Sequence, residues 1–297
     1  MRLKLRELAA PVSLLVAACA HPSSMPAGHD HAMPTAVMAS TGDDTTIAPG
    51  ATTAMARLER SPRHGEWVTI RTDAQTGDSL RAWVVYPQRS TKAPVVVVVH
   101  EIFGLSTWIR SVADQLAAEG FIAIAPDFLT GKIPLAATDT VGMQQAVAAI
   151  RTLDPAVVQR QIDAAAAYAM ALPAAAPRYG VVGFCWGGGV SFAHAVHAPT
   201  LGAAVVYYGT SPASAELASV RAPVLGLYGE NDARVDATIP PADSAMRALG
   251  RSYTHEIFPG AGHGFLRGQD QMNGANLAAA KRAWPMTVQF FRSNLER

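Results

Sequence analysis

The sequence predicts an α/β fold, a mainly parallel sheet with helices on both faces. Three observations carry that reading. Short β-branched runs such as "APVVVVVH" (93–100) are apolar throughout, as strands buried on both faces are. Segments of ten or more residues with helical periodicity lie between them. The two kinds of segment alternate along the chain, which argues for parallel strands joined by crossover helices.

The elements follow in order. "EWVTIRT" (66–72) and "LRAWVVYP" (80–87) are β-rich and separated by "DAQTGDS", which reads as an antiparallel hairpin at a sheet edge. After the valine run, "TWIRSVADQLAAEG" (107–120) is a helix that stops at Gly120, and "FIAIAPD" (121–127) is a second buried strand. "DPAVVQRQIDAAAAYAMAL" (154–172) is a helix with Asp154 as N-cap and Pro155 at its first position. "RYGVVGF" (178–184) is a strand, and "GGGVSFAHAVH" (187–197) opens a helix despite its glycines. "LGAAVVYYG" (201–209) and "APVLGLYGEND" (222–232) are further strands. Helix, strand and helix close the pattern at 241–250, 253–258 and 276–295, with Pro285 expected to turn or kink the last one.

The 297 residues are 49% hydrophobic and only 16% charged, ample for a core, and no stretch after residue 20 is long and apolar enough to span a bilayer. A formal net charge of +1 gives no support for nucleic-acid binding. The N-terminus carries Arg2, Lys4 and Arg6 before the apolar "AAPVSLLVAA", which reads as a secretory leader. Its end, Val16-Ala17-Ala18-Cys19, resembles a bacterial lipobox, in which Cys19 is acylated and anchors the mature chain. Ala20 after it resembles sorting to the outer membrane, facing the periplasm. The expected organisation is a lipoprotein signal peptide at 1–18, a flexible tether at 19–62 and one domain at 63–297. The tether is rich in Pro, Ser, Thr and Ala, too poor in apolar periodicity to offset its ordering entropy. Its "GHDHAM" (28–33) reads as solvated linker histidines rather than a metal site, although soft-metal delivery is the alternative.

In parallel sheets functional groups gather at the carboxyl ends of the strands. Gly183-Phe184-Cys185-Trp186-Gly187 fits a strand–turn–helix nucleophile elbow with cysteine where serine is commoner. The glycines leave room for a strained turn, and the helix N-terminus behind the sulfur favours a thiolate. Alone, the motif equally fits a buried structural cysteine. Asp232 in "LYGENDARV" and His263 in "FPGAGHGF" tip the balance. The order nucleophile, acid, histidine is that of the α/β-hydrolase fold, with His263 as proton carrier and Asp232 as its orienting acid. "HEIFGL" (100–105) follows the valine strand, so the backbone N–H groups of Ile102 and Trp186 are the expected oxyanion hole. Phe103, Trp186 and Tyr208 are candidate pocket aromatics.

Together "HEIFGL", "GFCWGG", "GEND" and "GAGHGF" resemble the dienelactone hydrolase (carboxymethylenebutenolidase) family across about residues 63–297. The resemblance implies a Cys185–His263–Asp232 triad, no cofactor and no metal. It implies that Glu101 pairs with the resting thiol and swings away when substrate binds. Arg267 matches the arginine that receives the displaced glutamate and contacts a substrate carboxylate. One departure is "PDFLTGK", where Gly131 and Lys132 stand in place of a carboxylate-binding arginine, and lysine offers a point charge rather than a fork. The expected activity is hydrolysis of lactones or small carboxylic esters by a monomer. The alternatives are another acyl substrate, such as a thioester, or a non-catalytic binding module on the same tether.

Overall fold

The computed structural model describes residues 44–72, 78–133 and 142–296. Cys19, the leader and the "GHDHAM" segment lie outside the described residues. Eight strands form one sheet: β1 (Gly65–Arg71), β2 (Ser79–Val85), β3 (Ala93–Val99), β4 (Ile122–Pro126), β5 (Ala175–Phe184), β6 (Ala203–Tyr207), β7 (Val224–Asn231) and β8 (Tyr253–Gly262). Their order is β1-β2-β4-β3-β5-β6-β7-β8. The first pair is the expected edge hairpin, antiparallel with Trp67 opposite Trp83. β2 pairs antiparallel with β4, and every pairing from β4 through β3 to β8 is parallel.

All seven residues of β3 are buried, and its valines serve both faces in alternation. Val96 and Val98 join the core beneath α1 (Ala54–Glu59), α2 (Thr107–Ala118) and α8 (Ala275–Leu295). Val95, Val97 and Val99 join the core beneath α4 (Pro155–Met170), α5 (Trp186–His197) and α7 (Ile239–Ala248). Helix ends follow the expected chemistry. Asp154 accepts from the Ala156 N–H at the start of α4, and Ser106 accepts from Ile109 at the start of α2. Gly120, with φ 98°, ends the chain's run out of α2 where a side chain would be strained. Two short helices, α3 (Gly142–Ile150) and α6 (Ala233–Asp236), were not expected.

Two expectations need correction. The tether does not extend to residue 62. Ile47, Ala48 and Ala54 are buried in the core under α2, and the Trp108 indole N–H donates to the Pro49 carbonyl at 2.8 Å. The segment docks largely through its backbone: Ala48 accepts from Gln269, and the Ala51 N–H donates to the Arg267 carbonyl. Pro285 starts no turn either, for α8 runs through it as one element. Ala283, Trp284, Thr287, Val288 and Phe291 bury the helix face on both sides of the proline, and that packing outweighs the lost hydrogen bond. Among the described residues no helix is long and apolar enough to cross a membrane.

Candidate active site

The parallel register β3–β5 sets Val99 beside Gly183 and so brings the loops after both strands together. Cys185 sits in the turn between β5 and α5 at φ 56° and ψ −115°, a conformation that a non-glycine residue adopts only under constraint. The reason is steric. A Cβ on Gly183 would lie 1.8 Å from the Gly187 carbonyl oxygen, and one on Gly187 would lie 2.4 Å from that of His100. Strand, turn and helix are therefore packed backbone to backbone around the sulfur. The Gly188 and Gly189 N–H groups donate to the Cys185 carbonyl and start α5 directly behind it.

His263 faces Cys185 from the loop after β8, and its side chain is 35% exposed. Its Nδ1 lies 2.5 Å from Asp232 Oδ2, and the Asp232 side chain is 8% exposed. The imidazole pKa is raised to about 9, first by the neighbouring Cys185 sulfur and then by Asp232, against the opposing effect of burial. The three residues predicted at separate strand ends are thus one contiguous chain of groups. The Ile102 and Trp186 amides have no hydrogen-bond acceptor among the described residues, and both residues line the same cavity as Cys185.

Glu101 is 5% exposed at its side chain, and its pKa is raised to about 7 by burial, with Arg267 and His263 pulling the other way. The structure does not pair it with the thiol. Its charge contact is Arg267, whose Nε lies 2.9 Å from Oε1, although the two are not aligned as a hydrogen bond. Arg267 is the partner that the family resemblance assigns to the glutamate once it has left the thiol. The Arg267 guanidinium also stands over the Phe103 ring at 4.9 Å, which places Phe103 on the Arg267 side of the site.

Tyr208 and Lys132 do not take the expected places. Tyr208 is wholly buried and packs edge-on against His263 at 5.3 Å, so it supports the imidazole rather than a substrate. Lys132 is on an exposed turn after β4 and does not line the cavity. Trp186 does line it, stacked on His100, which burial keeps neutral with its pKa lowered to about 4. The His100 Nδ1 donates to the Glu101 carbonyl and so shapes the Glu101–Ile102 turn.

Several positioning residues escaped the sequence reading. Asn276, 1% exposed, accepts from the Gly262 N–H at 2.9 Å and donates to the Gly268 carbonyl at 2.7 Å, tying both ends of the His263 loop to α8. Glu230 and Asn231, beside Asp232, hold the N–H and carbonyl of Gly260. The "GEND" motif was visible, but only its aspartate was given a role. Among the described residues no cluster of three or more His, Cys, Asp or Glu side chains could hold a metal.

Comparison with known proteins adds to this geometry. The dienelactone hydrolase family model matches residues 80–295. A Salmonella typhimurium protein described as "Putative carboxymethylenebutenolidase" is 32% identical over 259 residues, covering 82% of this chain and 94% of its own. The structure described as "Putative Dienelactone Hydrolase" of Klebsiella pneumoniae superposes with a TM-score of 0.64 at 28% identity, covering 77% of this chain and 98% of that one. A dienelactone hydrolase from Anabaena variabilis, at a TM-score of 0.58 and 22% identity over 78% of this chain and 99% of that one, shares the fold.

Proposed function

We propose, for a chain that belongs to the dienelactone hydrolase family and has the α/β-hydrolase fold, that it hydrolyses lactones or small carboxylic esters through Cys185. The observation that carries this reading is the contiguity of Cys185, His263 and Asp232 at a strained elbow. A free thiol is a poor nucleophile at neutral pH, and a neighbouring imidazole oriented by a carboxylate can take its proton as the sulfur attacks.

The Cys185 sulfur attacks the ester carbonyl carbon, and the carbonyl electron pair moves onto oxygen beside the Ile102 and Trp186 N–H groups. The intermediate collapses as the carbon–oxygen bond breaks, and the His263 imidazolium gives its proton to the departing alkoxide. Asp232 keeps the ring's Nε2 aimed at the reacting atoms. The acyl group is then a thioester on Cys185. Neutral His263 takes a proton from water, the hydroxide adds to the acyl carbon, and the thiolate leaves as the carboxylic acid departs. Arg267, beside Phe103 and Glu101, offers a cation to a carboxylate on the leaving-group side. No cofactor enters these steps.

The leader and Cys19 support an exported protein held by a lipid anchor, and Ala20 supports the periplasmic side of the outer membrane as its place. Cys19→Ala should abolish labelling of the protein by a fatty-acid probe, and labelling that persists would contradict the anchor. The catalytic reading is tested by turnover of a dienelactone and of p-nitrophenyl acetate beside the Cys185→Ala variant. Loss of turnover in the variant is expected. Equal turnover in both would remove Cys185 from the mechanism.

A further inference from the structure

The nucleophile opens onto more space than a compact lactone needs. A cavity of about 530 Å³ begins at Cys185, Trp186 and Ile102. It continues along α5 past Gly189, Val190, Ala193 and Val196. These positions repeat at helical spacing, so they form one stripe down the helix rather than a ring around it. From Trp186 to Val196 the stripe spans roughly 15 Å, ten residues at the helical rise. Leu153, Pro155 and Val158 face it from the start of α4. Small and aliphatic side chains thus line the length of a channel that has the reactive sulfur at its origin.

Which end of a substrate enters is decided by the proton. The leaving oxygen must come within hydrogen-bond reach of His263, because that imidazolium protonates it. His263, Asp232, Glu101 and Arg267 do not line this cavity. The leaving group therefore lies on the His263 side, and the cavity receives the acyl side.

Charge decides what kind of acyl group fits. Glu216 and Arg234 are the charged residues on the lining, both exposed and opposite in sign, so neither an anionic nor a cationic tail is favoured. Gln159, Thr210 and Ser211 are the uncharged polar residues on the lining, and the Gln159 carbonyl is already engaged by the Nδ1 of buried His194 at 2.7 Å. That histidine is neutral, its pKa lowered to about 4 by burial.

We propose that this channel is an acyl pocket for an extended, uncharged hydrocarbon chain, and that esters of medium-chain acids are preferred over compact substrates. The proposal rests on the cysteine-hydrolase reading above and specifies its substrate. An apolar chain leaving water for such a pocket gains affinity with each buried methylene. The gain belongs to the transition state as much as to the ground state, since the acyl carbon is fixed at Cys185 in both.

The test compares p-nitrophenyl octanoate with p-nitrophenyl acetate on the full chain and on two variants that fill the channel away from the sulfur, Ala193→Phe and Val196→Trp. In the unaltered protein kcat/KM for octanoate should exceed that for acetate by roughly tenfold or more. Either variant should collapse that ratio toward one while acetate turnover stays within about twofold. Val196 lies part-exposed near the channel's far end, so its replacement stands even if Ala193→Phe fails to fold. Acetate turnover with no preference for octanoate, or a preference that survives in the folded variants, overturns the pocket and leaves the hydrolase reading standing. Turnover that persists in Cys185→Ala, or no turnover of either ester or of a dienelactone, overturns the hydrolase reading and the pocket with it; turnover of the dienelactone alone overturns only the pocket.

Discussion

Replacing Asn276 with alanine should loosen His263 without touching it. The Asn276 carboxamide is buried and makes two hydrogen bonds, from the Gly262 N–H and to the Gly268 carbonyl, which bracket the loop holding His263. Alanine is a good helix former at the start of α8, so the helix itself loses nothing. What remains is one buried donor and one buried acceptor without partners. Each costs about 1–3 kcal/mol when left unsatisfied, so the pair should cost about 2–6 kcal/mol. For a domain of this size that corresponds to a fall in Tm of roughly 4–24 °C. Calorimetry on the two proteins measures it, and ester hydrolysis below the new Tm measures the rest. kcat should fall with KM little changed, because the imidazole is displaced relative to the sulfur in the transition state. A Tm within 1–2 °C of the parent and an unchanged kcat would refute the argument that these two bonds hold the loop.

Other outcomes follow from the same geometry. Asp232→Asn should lower kcat/KM by roughly 10²-fold or more and shift the alkaline fall in activity, expected near pH 9, to lower pH. A pH–rate profile unchanged in shape would separate Asp232 from His263. Glu101 holds its proton more tightly in the folded state, about 7 against an ordinary 4.5, so its contribution to stability is present below pH 4.5 and is lost as pH rises through 7. That loss is at most about 3 kcal/mol, and Glu101→Gln should flatten the decline of Tm with pH in this window. A decline as steep in the variant would assign it to other groups. A chain that begins at residue 63 should melt several degrees below one that begins at residue 44. It lacks Ile47, Ala48 and Ala54 from the core and takes the acceptor from the Trp108 N–H. Equal melting temperatures would show that the segment contributes nothing.

The elements that were legible in sequence are those whose pattern is set by burial. The all-buried β3 reads as five consecutive valines, and the Asp154-Pro155 start of α4 is local chemistry. The elbow was legible because its glycines are demanded by backbone approaches that no other residue allows. What stayed hidden depends on partners far along the chain. Asn276 binds backbone groups, and a backbone group leaves no mark on residue choice. The docking of residues 44–54 works through carbonyls and three small apolar contacts, so its composition still reads as a linker. An aromatic beside a strand end can face a pocket or a core, and Tyr208 is in the core, packed edge-on against His263. Pro285 breaks an isolated helix, but α8 is held by the sheet face beneath it.

The central claim is that Cys185 carries the acyl group between two chemical steps. Acid quenching of the full chain within one turnover of p-nitrophenyl acetate, followed by peptide mass spectrometry, reads it directly. The account predicts one added acetyl group on the peptide that holds Cys185, abolished by Cys185→Ala and accumulating in His263→Ala treated with the same ester at alkaline pH. Steady hydrolysis with Cys185 unmodified at every time point would contradict it.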